Sequence, residues 1–159
     1  AYSQISGQLK NSKLIIVGDG RDRSKVDKLV DRLDLKDQVV LLGAVYDQRE
    51  LAKIFLCCDV VTLPGQVGLS VVHSFAYGKP VITKTDSYSP ELEYLIDGVN
   101  GIKVSDSSLE SYAEAMKKIY FDDEYRDSLS HQALETAKQL PMSRMAESIR
   151  AGILYAVNS

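Results

Sequence analysis

The sequence is poor in the side chains that form disulfides and bind metal ions. It has two cysteines, the neighbours Cys57 and Cys58, and two histidines, His73 and His131, which lie far apart. Adjacent cysteines rarely form a disulfide with each other, so we expect two buried free thiols in a reducing compartment. Because no cluster of cysteine and histidine is present, the sequence predicts no structural metal site.

Other absences narrow the classes of partner. No apolar run approaches the length of a membrane span. The formal net charge is -3, tryptophan is absent, and no basic patch is interleaved with aromatic residues, so nothing favours a nucleic acid as partner. What is present is an ordinary globular composition. With 45% hydrophobic and 26% charged residues in 159, the chain can form one domain with a real core.

Strand and helix patterns alternate along the chain. The predicted strands are residues 13–17, 38–42, 59–63, 80–83 and 101–104. The predicted helices are residues 1–10, 24–33, 48–57, a short one after Gly68, 90–96, 109–121, 123–140 and 145–157. Alternation of this kind predicts an α/β fold, in which a Rossmann-like, doubly wound parallel sheet carries flanking helices.

The segment 64–83 carries the strongest indication of a ligand site. Pro64 and Gly65 end an apolar strand, and Gly68 allows close approach of a backbone where a helix begins. The unpaired amides of a first helical turn suit an anion such as a phosphate. Ligands of open parallel sheets bind at the carboxyl ends of the strands, where this segment lies. The segment is therefore the best candidate for the ligand site.

Simpler interpretations of the same residues remain open. Gly68 could be only a tight packing position between a strand and a helix. Glu91 and Glu93 lie two apart on a predicted helix and so face different ways, which argues against a carboxylate pair. Ser70 and Ser74 lie near His73, but the nucleophile-elbow pattern G-x-S-x-G is absent, so a hydrolase triad is not favoured.

The start of the chain is unusual for this class. Residues 1–10 have a helical pattern and lead directly into a core strand, whereas a doubly wound domain usually begins with a strand. We therefore expect the chain to be a piece of a larger protein.

Seven segments occur in an order typical of one enzyme family. They are IIVGDG, VVLLGAV, DVVTLP, the glycine-bearing helix start, YGKPVIT, a Pro-Glu helix start and DGVNGIKV. In order and spacing the chain resembles the C-terminal, nucleotide-sugar-binding domain of the group 1 glycosyltransferases (family 4, GT-B fold). Each segment alone is a weak signal, but the ordered set is fairly specific and covers nearly the whole chain.

The resemblance implies one half of a GT-B enzyme. Residues 1–159 would form a single donor-binding domain, truncated at its N-terminus, with the acceptor domain absent. The first strand-helix unit, which normally carries an Arg and a Lys that neutralise the diphosphate, would be absent too. The whole enzyme would transfer a sugar with retention of configuration from a UDP- or GDP-sugar to a glycan or glycolipid acceptor, in the synthesis of polysaccharides or cell-surface glycans.

The resemblance also implies what accompanies this activity. The partners would be the nucleotide sugar and the acceptor domain, with no nucleic acid, no cofactor and no metal. The whole enzyme would be cytoplasmic, with peripheral association at the inner face of the membrane if its acceptor is lipid-linked. The isolated fragment would be inactive, and no residue of it is assigned a catalytic role.

The resemblance assigns roles to specific residues. It places the donor phosphate and sugar at Gly65, Val67, Gly68 and Leu69, and the ribose at His73. It places the nucleobase at Gly43, Ala44 and Val45, and a wall of the cleft at Gly18, Asp19 and Gly20. The chain departs from the family at both motif glutamates, whose positions are occupied by Gly65 and His73. We interpret this departure as variation within the family.

Three other functions are compatible with the same fold. One is a degenerate domain that binds a nucleotide or partner without catalysis, which the absent glutamates favour. A second is a related sugar-nucleotide enzyme, such as an epimerase or a phosphorylase, although no pyridoxal-phosphate lysine motif is recognisable. A third is a signalling domain with a phosphorylated aspartate, but Asp59 opens its strand rather than ending it.

Overall fold

The computed structural model describes residues 1–86, 89–106, 108–140 and 142–158. The strands are β1 (Leu14–Val17), β2 (Val39–Gly43), β3 (Val61–Leu63), β4 (Val81–Lys84) and β5 (Gly101–Val104). The helices are α1 (Tyr2–Ile5), α2 (Arg23–Arg32), α3 (Gln48–Cys57), α4 (Ser70–Ala76), α5 (Leu109–Phe121), α6 (Asp123–Lys138) and α7 (Met142–Asn158). A 3-10 helix spans Pro90–Tyr94.

The mixed α/β class with parallel strands and flanking helices is confirmed. All strand pairings within the described ranges are parallel, but they form two ladders. One holds β1 and β2, and the other holds β3, β4 and β5 in that order. The five predicted strands are thus present. They form two separate ladders because β1 and β3 are not hydrogen-bonded to each other.

Most predicted elements are found close to their predicted bounds. The predicted helix 90–96 is a shorter 3-10 helix, and α1 ends at Ile5 rather than continuing to residue 10. The start of α3 is capped, because the Asp47 carboxylate accepts from the amides of Arg49 at 2.8 Å and Glu50 at 3.0 Å. Capping of this kind supplies partners for amides that a helix start leaves unpaired.

The core surrounds the central strand β4. Val81 and Ile82 are both fully buried, and they point to opposite faces of the sheet as neighbours on a strand must. Val81 packs in a cluster with Val71 and Phe75 of α4, whereas Ile82 packs with Tyr112 of α5. Full burial of Phe75 contributes about 2–3 kcal/mol. This half of the molecule therefore holds the main stabilising contacts.

The half that contains β1, β2, α2 and α3 is less buried. Neither α2 nor α3 has a fully buried residue. It joins the core half where the ring of Phe55 stacks on that of Tyr77, with centroids 5.0 Å apart, and where Lys79 Nζ donates to the carbonyl of Leu56 at 3.4 Å.

The prediction of two buried thiols is wrong. Cys57 is exposed and Cys58 is only half-buried, because they lie at the weakly packed end of α3. The partial burial of Cys58, together with the adjacent Cys57, raises the pKa of its thiol to about 11.

Candidate functional site

The loops that follow β1 and β2 form the first cluster of predicted site residues. The amide of Gly18 donates to the carbonyl of Gly43 at 2.7 Å, so the predicted cleft wall and the predicted nucleobase turn are in contact. Gly43 has φ of 73°, a conformation that favours glycine. Ala44 is exposed and Val45 half-buried. This cluster presents mainly backbone at the carboxyl edge of the two-stranded ladder.

Arg23 belongs to this cluster and was missed by the sequence analysis. It is the first residue of α2, and its Nη2 donates to the carbonyl of Leu41 at 3.3 Å while its Nε lies 3.5 Å from Asp27. A Cβ added to Gly43 would lie 3.7 Å from Arg23 Nη1. The cation is thus held beside the turn by two partners. Only the β1–β2 pairing brings it there, so no local pattern could have indicated it.

The loop that follows β3 forms the second cluster. Val67 is buried in the core, which fixes the loop against α4. Gly68 has φ of 51°, and Leu69, at the N-cap of α4, is 65% exposed. No side chain caps the start of α4, so its first amides are not satisfied by a capping group. The loop therefore places a glycine of positive φ directly before a helix start that has no side-chain cap.

Glycine at position 65 is not explained by the folded backbone. Gly65 does not adopt a positive φ, and a Cβ added there would meet nothing within 4 Å. Gly20, in the first cluster, has the same two properties. An alanine would fit at both positions in the protein alone. Close approach of another molecule is one physical reason for glycine at such a place.

His73 projects from α4 away from the core. Its helix neighbours Val71, Ser74 and Phe75 are buried, whereas His73 is exposed. It is therefore not a core histidine. The Ser74 hydroxyl donates to the carbonyl of Ser70 at 2.6 Å inside the protein, so it is not placed as a nucleophile.

Two acidic residues that follow β4 have local structural roles. The Ser89 hydroxyl hydrogen-bonds to the Glu91 carboxylate and lowers its pKa. Hydrogen bonds from Ser108 and Ser111 lower the pKa of Asp106 in the same way. Across the described ranges, no group of three or more His, Cys, Asp or Glu side chains is arranged to hold a metal ion.

A concavity of about 850 Å³ lies elsewhere, between β5 and α5. It contains none of the predicted site residues. At its edge, Asp97 accepts from the amide of Lys103 at 2.7 Å, and the amide of Gly98 donates to the carbonyl of Gly101 at 2.9 Å. These bonds cover the outer edge of β5. The two loop clusters lie at the carboxyl ends of β1, β2 and β3, where ligands of parallel sheets bind, whereas this concavity runs along β5.

Comparison with known proteins decides the family. The family model described as "Glycosyl transferases group 1" matches residues 1–136. The chain belongs to the group 1 glycosyltransferases. It is 26% identical over 140 residues to the poly(glycerol-phosphate) alpha-glucosyltransferase of Bacillus subtilis, covering 87% of this chain and 20% of that protein. It is 29% identical over 126 residues to the lipopolysaccharide core biosynthesis glycosyltransferase LpsE of Rhizobium meliloti, covering 77% and 36%.

Two solved structures share the fold of this chain. The pneumococcal O-GlcNAc transferase GtfA, in complex with UDP and GlcNAc, matches with a TM-score of 0.82 at 16% identity, over 99% of this chain and 32% of that one. Anabaena HepE in complex with UDP-glucose matches with a TM-score of 0.75 at 20% identity, over 94% and 44%. The resemblance to the GT-B glycosyltransferases is thereby confirmed.

Two further findings concern the length of the relatives and the helices that could span a membrane. The chain spans about a fifth to a third of the length of the curated relatives described above. In the part of the chain that the structure describes, no helix is long and apolar enough to cross a membrane.

Proposed function

We propose that this chain is the donor-binding half of a retaining glycosyltransferase, which transfers a sugar from a UDP- or GDP-sugar to a glycan or glycolipid acceptor. The observation that carries the proposal is the pair of glycine-bearing loop clusters at the carboxyl ends of β1, β2 and β3, in a chain that belongs to this family. UDP or UDP-glucose is present in the two solved structures described above. Donor binding would be the role of residues 1–159, and the acceptor domain would lie in another part of the polypeptide.

The first cluster suits the nucleoside end of the donor. Gly43, Ala44 and Val45 would hold the nucleobase through backbone groups, and Gly18, Asp19 and Gly20 would form the adjoining wall. The contact between Gly18 and Gly43 supports a shared surface. Arg23 places a cation beside Gly43, which favours a role beside the phosphates.

The second cluster suits the diphosphate and the sugar. The loop carrying Gly65, Val67, Gly68 and Leu69 would contact the donor through amides, and the exposed His73 would hydrogen-bond a ribose hydroxyl. Stabilisation of the departing diphosphate by helix-start amides, together with positioning, would be this half's share of the chemistry. No catalytic side chain is assigned to it, and no metal or cofactor is required for these roles.

A degenerate nucleotide-binding domain is the second candidate. The departure from both motif glutamates at Gly65 and His73 favours it. The two candidates agree on donor binding and differ on transfer, so sugar transfer by the whole polypeptide distinguishes them. The cytoplasmic location, and the association with the inner face of a membrane, remain predictions for the whole enzyme.

The test is a calorimetric titration of the full-length native protein with UDP, GDP, ADP and CMP. We expect either UDP or GDP to bind with the highest affinity of the four nucleotides. His73→Ala should then weaken that affinity by about tenfold, the equivalent of one hydrogen bond. His131→Ala is the matched control, since His131 is an exposed histidine on α6 outside both clusters. Absence of binding by all four nucleotides would refute the donor-binding role.

A further inference from the structure

The end of α3 places two thiol groups side by side. Cys57 is the last residue of α3, and Cys58 is its C-cap. The Cys57 Sγ donates to the carbonyl of Ile54 at 3.1 Å, and the Cys58 thiol hydrogen-bonds to that of Cys57. Cys57 is exposed and Cys58 is half-buried. Two sulfur atoms are thus in contact at the protein surface, outside both loop clusters.

A lysine cation lies close to the pair. Lys79 Nζ donates at 3.4 Å to the carbonyl of Leu56, the residue directly before Cys57. Burial and the neighbouring Cys57 raise the pKa of the Cys58 thiol to about 11, against the opposing effect of this cation. Cys58 therefore keeps its proton near neutral pH, and the exposed Cys57 is the thiol that a small reagent reaches first.

A disulfide between these two sulfurs would be strained. The Cα atoms of adjacent residues are about 3.8 Å apart across a trans peptide, whereas disulfides usually join Cα atoms about 4.4–6.8 Å apart. Strain of this kind makes a disulfide easier to reduce, and strained or exposed disulfides are the labile and regulatory ones. A bond between Cys57 and Cys58 would therefore form under oxidising conditions and revert to thiols afterwards.

The pair lies at the junction between the two halves of the molecule. Phe55, two residues before Cys57, stacks on Tyr77 with ring centroids 5.0 Å apart. The amide of Cys58 donates to the carbonyl of Phe55 at 3.2 Å, and the bond from Lys79 is made in the same turn. A change in the conformation of the two cysteines therefore reaches the contacts that join α3 to the core half.

We propose that Cys57 and Cys58 form a reversible oxidation site, at which a peroxide converts the two thiols into a vicinal disulfide and disturbs the junction at Tyr77. The new bond removes the thiol proton that Cys57 donates to Ile54 and draws its sulfur towards Cys58. The turn that positions Phe55 must then adjust. The proposal does not depend on nucleotide binding, since both cysteines lie outside the two loop clusters.

One peroxide molecule balances the oxidation. The Cys57 thiolate attacks a peroxide oxygen, so that an S–O bond forms and the O–O bond breaks. The leaving hydroxide combines with the proton that the thiol released. The Cys58 sulfur then attacks the Cys57 sulfur, so that the S–S bond forms and the S–O bond breaks. The second hydroxide takes the proton of Cys58 and leaves as water. Two electrons pass from the sulfurs to the peroxide, and the adjacency of the sulfurs favours the second step.

The first test is peptide mass spectrometry of the full-length native protein after treatment with hydrogen peroxide at neutral pH. The peptide that contains both cysteines should lose the mass of two hydrogen atoms without joining another chain, and excess glutathione should restore it. Cys58→Ser should stop Cys57 at the sulfenic acid, which dimedone traps. Cys57→Ser should slow the oxidation of Cys58 at least about tenfold.

Three results of this experiment would overturn the proposal. The first is a pair of thiols that stays reduced in excess peroxide. The second is a sulfenic acid on Cys57 that persists in the unsubstituted protein, since Cys58 would then not reach it. The third is a disulfide that excess glutathione does not reduce, because a strained bond of this kind is expected to be labile.

A trivalent arsenical tests the reduced pair without an oxidant. Phenylarsine oxide binds two neighbouring thiols through two As–S bonds, and its oxygen leaves as water with both thiol protons. At the peptide that contains Cys57 and Cys58, we expect either single serine variant to bind it at least about 100-fold more weakly than the unsubstituted protein does. Equal binding would mean that the two sulfurs do not act together, and it would overturn the proposal.

Fluorine NMR of protein labelled with fluorotyrosine tests the effect on the junction. Tyr77→Phe and Tyr112→Phe identify the two signals, and Tyr112, which packs with Ile82 in the core half, is the control. Oxidation should shift the Tyr77 signal and leave that of Tyr112 in place, and glutathione should reverse the shift. A Tyr77 signal that stays unchanged after complete disulfide formation would refute the disturbance of the junction.

Discussion

Asn100 is expected to be one of the most sensitive positions for stability. The residue is fully buried, and its side chain joins three elements. Its Oδ1 accepts from the amide of Ile96 at 2.8 Å, and its Nδ2 donates to the carbonyl of Tyr94 at 2.9 Å and to Thr136 Oγ1 at 3.0 Å. The side chain therefore connects the turn before β5 to α6.

The cost of Asn100→Ala follows from these bonds. The substitution leaves an amide and a carbonyl near the core without their partner, and each unsatisfied group costs about 1–3 kcal/mol. We therefore expect a loss of about 3–5 kcal/mol in the free energy of unfolding, a large fraction of the stability of a domain this size. Thr136→Val removes only one of the three partners and should cost about 1 kcal/mol.

Urea unfolding of the two variants and the unsubstituted chain measures both effects. The slope of the transition should be unchanged, because the area exposed on unfolding is nearly the same. A loss below about 1 kcal/mol for Asn100→Ala would refute the reasoning, since it would mean that water or neighbouring groups satisfy the freed amide and carbonyl. Equal losses in the free energy of unfolding for Asn100→Ala and Thr136→Val would refute the view that the bonds to Ile96 and Tyr94 make the larger contribution.

Three further predictions concern glycines, a buried hydroxyl and the thiols. Gly65→Ala should keep or raise stability, by about 0.4–1 kcal/mol, whereas Gly68→Ala should lower it by about 1–2 kcal/mol because of its positive φ. Both should weaken nucleotide binding, and unchanged binding in both would argue against contact of a ligand with that loop. Tyr112 donates to a carbonyl of β4 at 2.7 Å, and burial raises its pKa. Stability should therefore fall as pH rises above about 10, the unfolded pKa, and Tyr112→Phe should cost about 1 kcal/mol at pH 7 and remove part of that fall. An unchanged alkaline slope would contradict this. At pH 8, an alkylating reagent should modify exposed Cys57 at least about tenfold faster than Cys58, whose pKa is about 11, as mass spectrometry of peptides can measure. Equal rates would contradict the raised pKa of Cys58.

The order of helices and strands could be predicted because each long element has a clear hydrophobic period or a residue that clearly ends it. The run that became β4 begins with three β-branched residues, and the Asp47 cap marks the start of α3 without reference to the rest of the fold. The loop after β3 was predictable for the same reason, since Pro64 and Gly68 mark it locally. Local patterns therefore sufficed for the elements and for one half of the candidate site.

Features that depend on long-range pairing could not be predicted. Arg23 reaches the turn at Gly43 only through the β1–β2 ladder, and 20 residues separate the two in sequence. The burial of Asn100 and its bond to Thr136 of α6 arise from packing between distant segments. The exposure of Cys57 likewise follows from the sparse contacts of α3, which an apolar helix pattern does not reveal.

The most direct test of donor binding is a map of the amide shifts that UDP and GDP cause in the isotope-labelled native polypeptide. The donor-domain assignment predicts that one nucleotide shifts the amides of Gly43, Ala44, Val45, Val67, Gly68 and Leu69 together, with one saturation curve. Shifts confined to the concavity beside β5 and α5, or no shifts at millimolar nucleotide, would contradict it.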